Sequence, residues 1–114
     1  MKLSDFELKL IEALIQGDTE ENVIRSQLNG ATLKKRDYTG VGLYTEIRIP
    51  KNCRRLSKSN RYIEDTPKAH LEHPELSDGA GAMLWFNDGY VSILECYTYE
   101  GEWPKDEFLF NIIT

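Results

Sequence analysis

The stretch Gly81-Ala82-Met83-Leu84-Trp85-Phe86-Asn87-Asp88-Gly89-Tyr90-Val91-Ser92-Ile93-Leu94-Glu95-Cys96-Tyr97-Thr98-Tyr99 decides the fold. Asn87-Asp88-Gly89 is a strong hairpin signal, because a type I′ turn needs positive φ at both central residues. Residues 81–86 predict the outgoing strand and 90–99 the return. Alternation puts Val91, Ile93, Glu95, Tyr97 and Tyr99 on one face of the return strand. Tyr90, Ser92, Leu94, Cys96 and Thr98 fall on the other. Both faces are partly apolar, so this strand is expected at the centre of its sheet.

Upstream, residues 41–49 alternate in the same way. Val41, Leu43, Thr45, Ile47 and Ile49 face one side; Gly42, Tyr44, Glu46 and Arg48 face the other. Pro50 stops that strand by removing a ladder donor. A short strand over 31–36 precedes it across the Thr39-Gly40 turn. Still earlier the period shifts to 3.6. Residues 4–16 read as a helix, with Ser4 and Glu7 in a capping box and Gly17 at the left-handed stop. Residues 19–29 read as a second helix, capped by Asp18 or Thr19, and the short link between the two makes an αα-hairpin. Downstream, 51–79 reads as a long loop with at most a short strand at Tyr62-Ile63, and 107–113 as a last strand. The fold class is therefore α+β: an N-terminal helical hairpin packed on one face of a mostly antiparallel sheet of about five strands. Residues 1–114 are expected to form a single domain.

Composition narrows the function classes. With 40% hydrophobic and 29% charged residues, the chain is neither disordered by composition nor membrane-spanning. Met1-Lys2-Leu3-Ser4-Asp5 turns polar too early for a signal peptide, so a cytoplasmic location and two free thiols, Cys53 and Cys96, are expected. Net charge is −5 but unevenly spread. Residues 34–61 carry nine bases against two acids, while the rest of the chain carries five against seventeen. An acidic total argues against a bulk nucleic-acid binder.

No catalytic motif is present. His70 and His73 have a spacing that a helix would turn into a metal pair, but Pro74 opposes the helix, and exposed loop histidines are expected. No metal site and no cofactor is implied. Glu95 is the carboxylate of greatest interest. If its face is buried it needs a donor, for which Arg48 or Tyr44 is placed, and its role is open between a register-pinning hydrogen bond, a binding contact and a general acid. Tyr97, Tyr99 and Trp103 are interleaved with Glu95, Glu100 and Glu102. Aromatics mixed with acids suit an interface that receives basic side chains, although Tyr97 and Trp103 equally suit a core. The basic run Arg54, Arg55, Lys58 and Arg61 suits either a solvated loop or an anion site.

Thr39-Gly40-Val41-Gly42, Gly79-Ala80-Gly81 with Asp88-Gly89, and Leu94-Glu95-Cys96-Tyr97-Thr98-Tyr99 with Glu102-Trp103-Pro104 resemble a family of small bacterial proteins. That family is associated with polymorphic toxin systems, as candidate immunity proteins. The resemblance spans roughly residues 39–49 and 79–110. It implies a toxin-neutralising role with a cognate toxin domain as protein partner, met through Glu95, Tyr97, Tyr99, Glu100, Glu102 and Trp103. The alternative is a small enzyme or ligand-binding domain with a pocket at Tyr44, Glu46, Arg48 and Glu95. RNA binding through the 51–61 loop is a third option. Oligomeric state is not legible in the sequence.

Overall fold

The computed structural model describes residues 1–65 and 69–114. Two helices, α1 (Asp5–Ile15) and α2 (Glu21–Asn29), precede seven strands. The strands are β1 (Thr32–Tyr38), β2 (Gly42–Arg48), β3 (Arg61–Glu64), β4 (His70–Glu72), β5 (Ala80–Asn87), β6 (Tyr90–Thr98) and β7 (Asn111–Ile113). All pair antiparallel in one sheet of order β1-β2-β6-β5-β4-β7, with β3 also on β5. The architecture is α+β as expected, with seven strands in place of about five. The two further strands come from the stretch expected to be mostly loop: β3 falls on the short strand read at Tyr62-Ile63 and β4 was not expected; residues 66–68 of that stretch lie outside the described residues. Both are too short to show a period: β3 buries only Ile63 and β4 only Leu71. β6 lies between β2 and β5, the central position expected of it.

α1 starts where the capping box requires. The Ser4 hydroxyl accepts from the Glu7 amide at 3.1 Å, and Glu7 accepts from the Ser4 amide at 2.7 Å. Gly17 follows the helix at φ 81°. Leu10, Ile11, Leu14 and Ile15 of α1 and Ile24 of α2 are fully buried. They join Leu43, Leu84, Leu94 and Cys96 of the sheet in one hydrophobic core. α2 begins two residues later than expected, at Glu21. Asp18 instead turns the preceding link by accepting from the Glu20 amide at 3.0 Å.

The β5–β6 hairpin turns at Asp88 (φ 54°) and Gly89 (φ 81°), the two positive angles of the expected turn. Just beyond it the ladder slips. Phe86 pairs with Val91, but Trp85 pairs with Ile93, so Ser92 is an extra residue in β6. A bulge shifts the alternation by one. Val91, Leu94 and Cys96 are therefore buried, while Ile93, Glu95 and Tyr97 are only half-buried. This corrects the uninterrupted alternation expected for 90–99, in which Val91 shared a face with Glu95. The amide of Val91, beside the bulge, donates to the Oε1 of the buried Gln27 at 2.8 Å. Gln27 Nε2 donates to Gly89 O at 2.9 Å and Arg54 O at 2.8 Å. One side chain of α2 thus binds the hairpin and the 51–60 loop.

The last expected strand, 107–113, is half something else. Asp106 accepts from the Phe108 amide at 3.0 Å and starts a 3-10 helix over Glu107–Leu109. Only Asn111–Ile113 is strand, on the sheet edge beside β4.

Glu7 is the buried charge that ties α1 to the sheet. Arg36 of β1 donates to it twice, at 2.7 and 2.8 Å, and Thr45 of β2 donates at 2.6 Å. Burial pushes the Glu7 carboxyl up, but the hydrogen bonds from Arg36, Thr45 and Ser4 outweigh it and hold the acid below its ordinary range. A depressed folded-state acid stabilises the fold above its unfolded pKa, and the gain disappears as pH falls through the folded value. Glu7→Ala should cost about 3 kcal/mol in urea unfolding at pH 7, because it strands Arg36. Glu7→Gln should remove part of the loss of stability that the wild type shows below about pH 4.5. An unchanged acid limb in Glu7→Gln would contradict this assignment.

Candidate functional site

On the sheet surface that carries Glu95, neighbouring strands present side chains in register. Glu95 pairs across with Tyr44 of β2 and Met83 of β5. Its Oε1 accepts from the Trp85 indole N–H at 3.0 Å, and its Oε2 accepts from the Tyr44 hydroxyl at 3.2 Å. The Glu95 charge and that hydrogen bond raise the Tyr44 phenol, so Tyr44 stays a donor. Of the two partners expected for Glu95, Tyr44 is one and Arg48 is not. Arg48 lies four residues along β2 from Tyr44, roughly 13 Å at strand rise. The partner missed in the sequence is Trp85, which reaches Glu95 only because the Ser92 bulge moves the register. Among the described residues, no Lys, Arg or His pairs with Glu95. The carboxylate is therefore oriented by two neutral donors and has no counter-charge.

Tyr97 and Tyr99 continue this surface. Their rings meet edge to face with centroids 5.7 Å apart. Burial, then the nearby Asp65 charge, pushes the Tyr97 phenol up to about 12, so it too stays protonated at neutral pH. Both rings lie over Gly81, where a Cβ would come within 2.6 Å of the Tyr99 hydroxyl and 2.8 Å of the Tyr97 ring. At the other end Tyr62 of β3 and Trp85 stand with ring centroids 5.2 Å apart. Tyr44, Tyr62, Trp85 and Tyr99 are all exposed.

The remaining expected site residues divide. Glu100 and Glu102 are exposed beyond the end of β6. Trp103 departs from the expected surface: it is 8% exposed and packs against Phe110 and Phe6, whose rings also stack on each other. Its indole N–H donates to Glu107 at 2.8 Å, which meets its polar need inside. Of the alternative pocket, Glu46 pairs across with Ile93, one diagonal from Glu95, whereas Arg48 lines a separate hollow.

His73 is buried, not an exposed loop residue. Its Nδ1 accepts from the Glu75 amide at 3.1 Å, so its Nε2 donates to Asp106 O at 2.9 Å. His70 is exposed in β4. Among the described residues, no three His, Cys, Asp or Glu side chains converge on a metal-sized point. Cys53 and Cys96 are both free, and burial pushes the Cys96 thiol well up. Among the described residues, no helix is long and apolar enough to cross a membrane.

Two of the four bases of the run, Arg55 and Arg61, are paired within the fold. Arg61 donates twice to Asp18, at 2.6 and 3.1 Å, and Glu20 accepts from both the amide and the hydroxyl of Ser57. Arg55 reaches Asp88 at 3.5 Å and lies over the Tyr90 ring.

Fold and site together define a small α+β domain with an open aromatic sheet surface built around one carboxylate. The chain matches no family profile, no curated protein and no solved structure.

Two glycines test this geometry by contrast. At Gly81 an added Cβ meets the far ends of two tyrosine side chains, which can swing. At Gly42 it meets the Cys96 carbonyl at 2.2 Å, which is backbone and cannot. Gly81→Ala should cost about 1 kcal/mol and alter the near-UV circular dichroism of the tyrosines. Gly42→Ala should cost about 3 kcal/mol with the β2–β6 pairing itself disturbed. Equal costs at the two positions would show that the rings do not rest on Gly81.

Proposed function

We propose that this chain is a binding protein of the immunity type, which neutralises a toxin by covering its cationic working surface. The carrying observation is Glu95. Its carboxylate is held by Trp85 and Tyr44, flanked by Tyr97 and Tyr99, and left without a cation. An arginine or lysine arriving there gains a charge-assisted hydrogen bond and aromatic faces together. Among the described residues no ion pair to the carboxylate has to be broken first. With the N-terminal helical hairpin covering one side of the sheet, the Glu95 side remains for the partner. Glu100 and Glu102 extend the negative field at its edge and speed encounter with a basic nuclease surface. Trp103 contributes by fixing the segment that carries those acids, not by contact.

The catalytic alternative is less well supported. Among the described residues, the hydrogen-bond partners of the Glu95 carboxylate are a phenol and an indole, Tyr44 and Trp85.

The test is calorimetric titration against the toxin domain encoded by the adjacent gene. Glu95→Lys should weaken binding by on the order of 100-fold or more, the scale for truncating one partner of a buried charge contact. Charge reversal at Glu100 and Glu102 should slow association at low salt and matter little at high salt. Tight binding that ignores all three substitutions at every salt concentration would end the proposal.

A further inference from the structure

The end of the sheet farthest from Tyr97 holds two adjoining hollows with different chemistry. The first, of ≈ 510 Å³, is mostly apolar and is walled by Tyr62, Trp85, Phe86 and Ile93. The second, of ≈ 310 Å³, is lined by Lys34, Arg48 and Lys51 with Tyr90 and Ser92. Asn87 and Ser92 line both, so the two are contiguous.

Three observations mark the basic hollow as built. Its cations come from three places in the chain: β1, β2 and the loop after Pro50. Two of its residues are bulged: Lys34 is the extra residue of β1, between the Leu33–Ile47 and Lys35–Glu46 pairs, and Ser92 is the extra residue of β6. Bulges re-aim side chains and are concentrated near working sites. Lys51 is also fixed from behind, because its carbonyl accepts from the Tyr90 hydroxyl at 3.0 Å. Among the described residues, Lys34, Arg48 and Lys51 form no ion pair. Asp88, the acid in the lining, is engaged by Arg55.

The apolar hollow adds a stacking wall. Glu95 holds the Trp85 indole by its N–H, which fixes the ring plane. Strands lie about 4.8 Å apart, and Trp85 is level with Glu46 across Ile93, so Arg48, two residues further along β2, stands roughly 12 Å from Trp85 on the diagonal. A planar base joined through a pentose to a phosphate spans a gap of that order.

We propose that these two hollows together bind a nucleoside monophosphate, with the base against Trp85 and Tyr62 and the phosphate among Arg48, Lys34 and Lys51. Guanidinium and ammonium groups suit the phosphate as charge-assisted donors, and aromatic faces accept any base without hydrogen-bond readout. This site meets the partner surface at Trp85, whose indole N–H orients Glu95, while its phosphate end at Lys34, Arg48 and Lys51 is separate from that surface.

Trp85 reports its own occupancy. Titration with AMP and GMP should quench its fluorescence saturably at micromolar to millimolar concentrations, with the buried Trp103 as a constant background. Adenosine should bind at least tenfold more weakly, and inorganic phosphate should compete. Arg48→Gln and Lys34→Gln, both on exposed positions, should each weaken AMP binding about tenfold without moving the melting temperature. Trp85→Phe should abolish the quench, with residual binding followed by NMR shifts of Ile93. Absence of saturable binding, or AMP binding unchanged in Arg48→Gln, would overturn the proposal. A short oligonucleotide that binds a hundredfold more tightly than AMP would also overturn it, in favour of a single strand.

Discussion

The Val91 amide, 2.8 Å from the buried Gln27 carbonyl oxygen, closes the backbone donor beside the Ser92 bulge. Much of what the molecule shows to solvent depends on that closure. Without the extra residue, two-residue alternation would run unbroken through β6 and send Ile93, Glu95 and Tyr97 inward with Val91. A carboxylate among leucines would then need a buried counter-charge. With the bulge paired, Leu94 and Cys96 take the inward places and Glu95 comes out beside Trp85 and Tyr44. Gln27 does this from α2, and the same side chain holds Gly89 and Arg54. Turn, bulge and basic loop are thus one hydrogen-bonded unit. Leaving the Val91 donor unmet would cost about 1–3 kcal/mol, enough to favour other registers.

Charge follows the same logic of internal employment. The sequence is polarised, with bases gathered in 34–61 and acids on both flanks. In the fold the two populations meet where burial is greatest: Glu7 with Arg36, and Asp18 with Arg61. Those pairs fasten helical segments to the sheet and to β3. Among the exposed groups two sets without ion pairs among the described residues stand apart. Glu95, Glu100 and Glu102 lie toward the C-terminal end of β6, and Lys34, Arg48 and Lys51 lie toward its start. The sequence polarity, reduced by the internal pairs, becomes a polarity along the exposed sheet.

The capping box, Gly17, the Asp88-Gly89 turn and the buried side of β2 were legible because each is local: a cap, a positive φ, or a period carries its own signal. β4 was not, since its three residues hold one apolar side chain and no period, and β3 was legible only as the short strand at Tyr62-Ile63. The Ser92 bulge leaves no mark at all in sequence, because it is a mismatch between two strands and not a property of one. That is why Tyr44 was legible as a Glu95 partner while Trp85 was not. Trp103 was ambiguous for another reason. Its neighbours Glu102 and Pro104 look like a surface loop, and the rings of Phe110, seven residues on, and of Phe6, at the other end of the chain, draw it inside. His73 was misplaced likewise, since its partner Asp106 lies 33 residues away.

Trp85 belongs to both halves of the exposed surface. Its indole N–H orients Glu95, while its ring walls the apolar hollow at the opposite end. A carboxylate held by neutral donors differs from one in a salt bridge. Part of its hydration is already replaced, yet its charge is not cancelled, so an incoming cation meets less water and no competitor. The lysines and arginine at the far end stand in the complementary state, set by bulges and by Tyr90 and, among the described residues, in no ion pair with an acid. The fold spends its two most buried guanidinium–carboxylate pairs on cohesion and leaves these single-signed groups outside, an arrangement that suits recognition by a domain too small for a deep cleft.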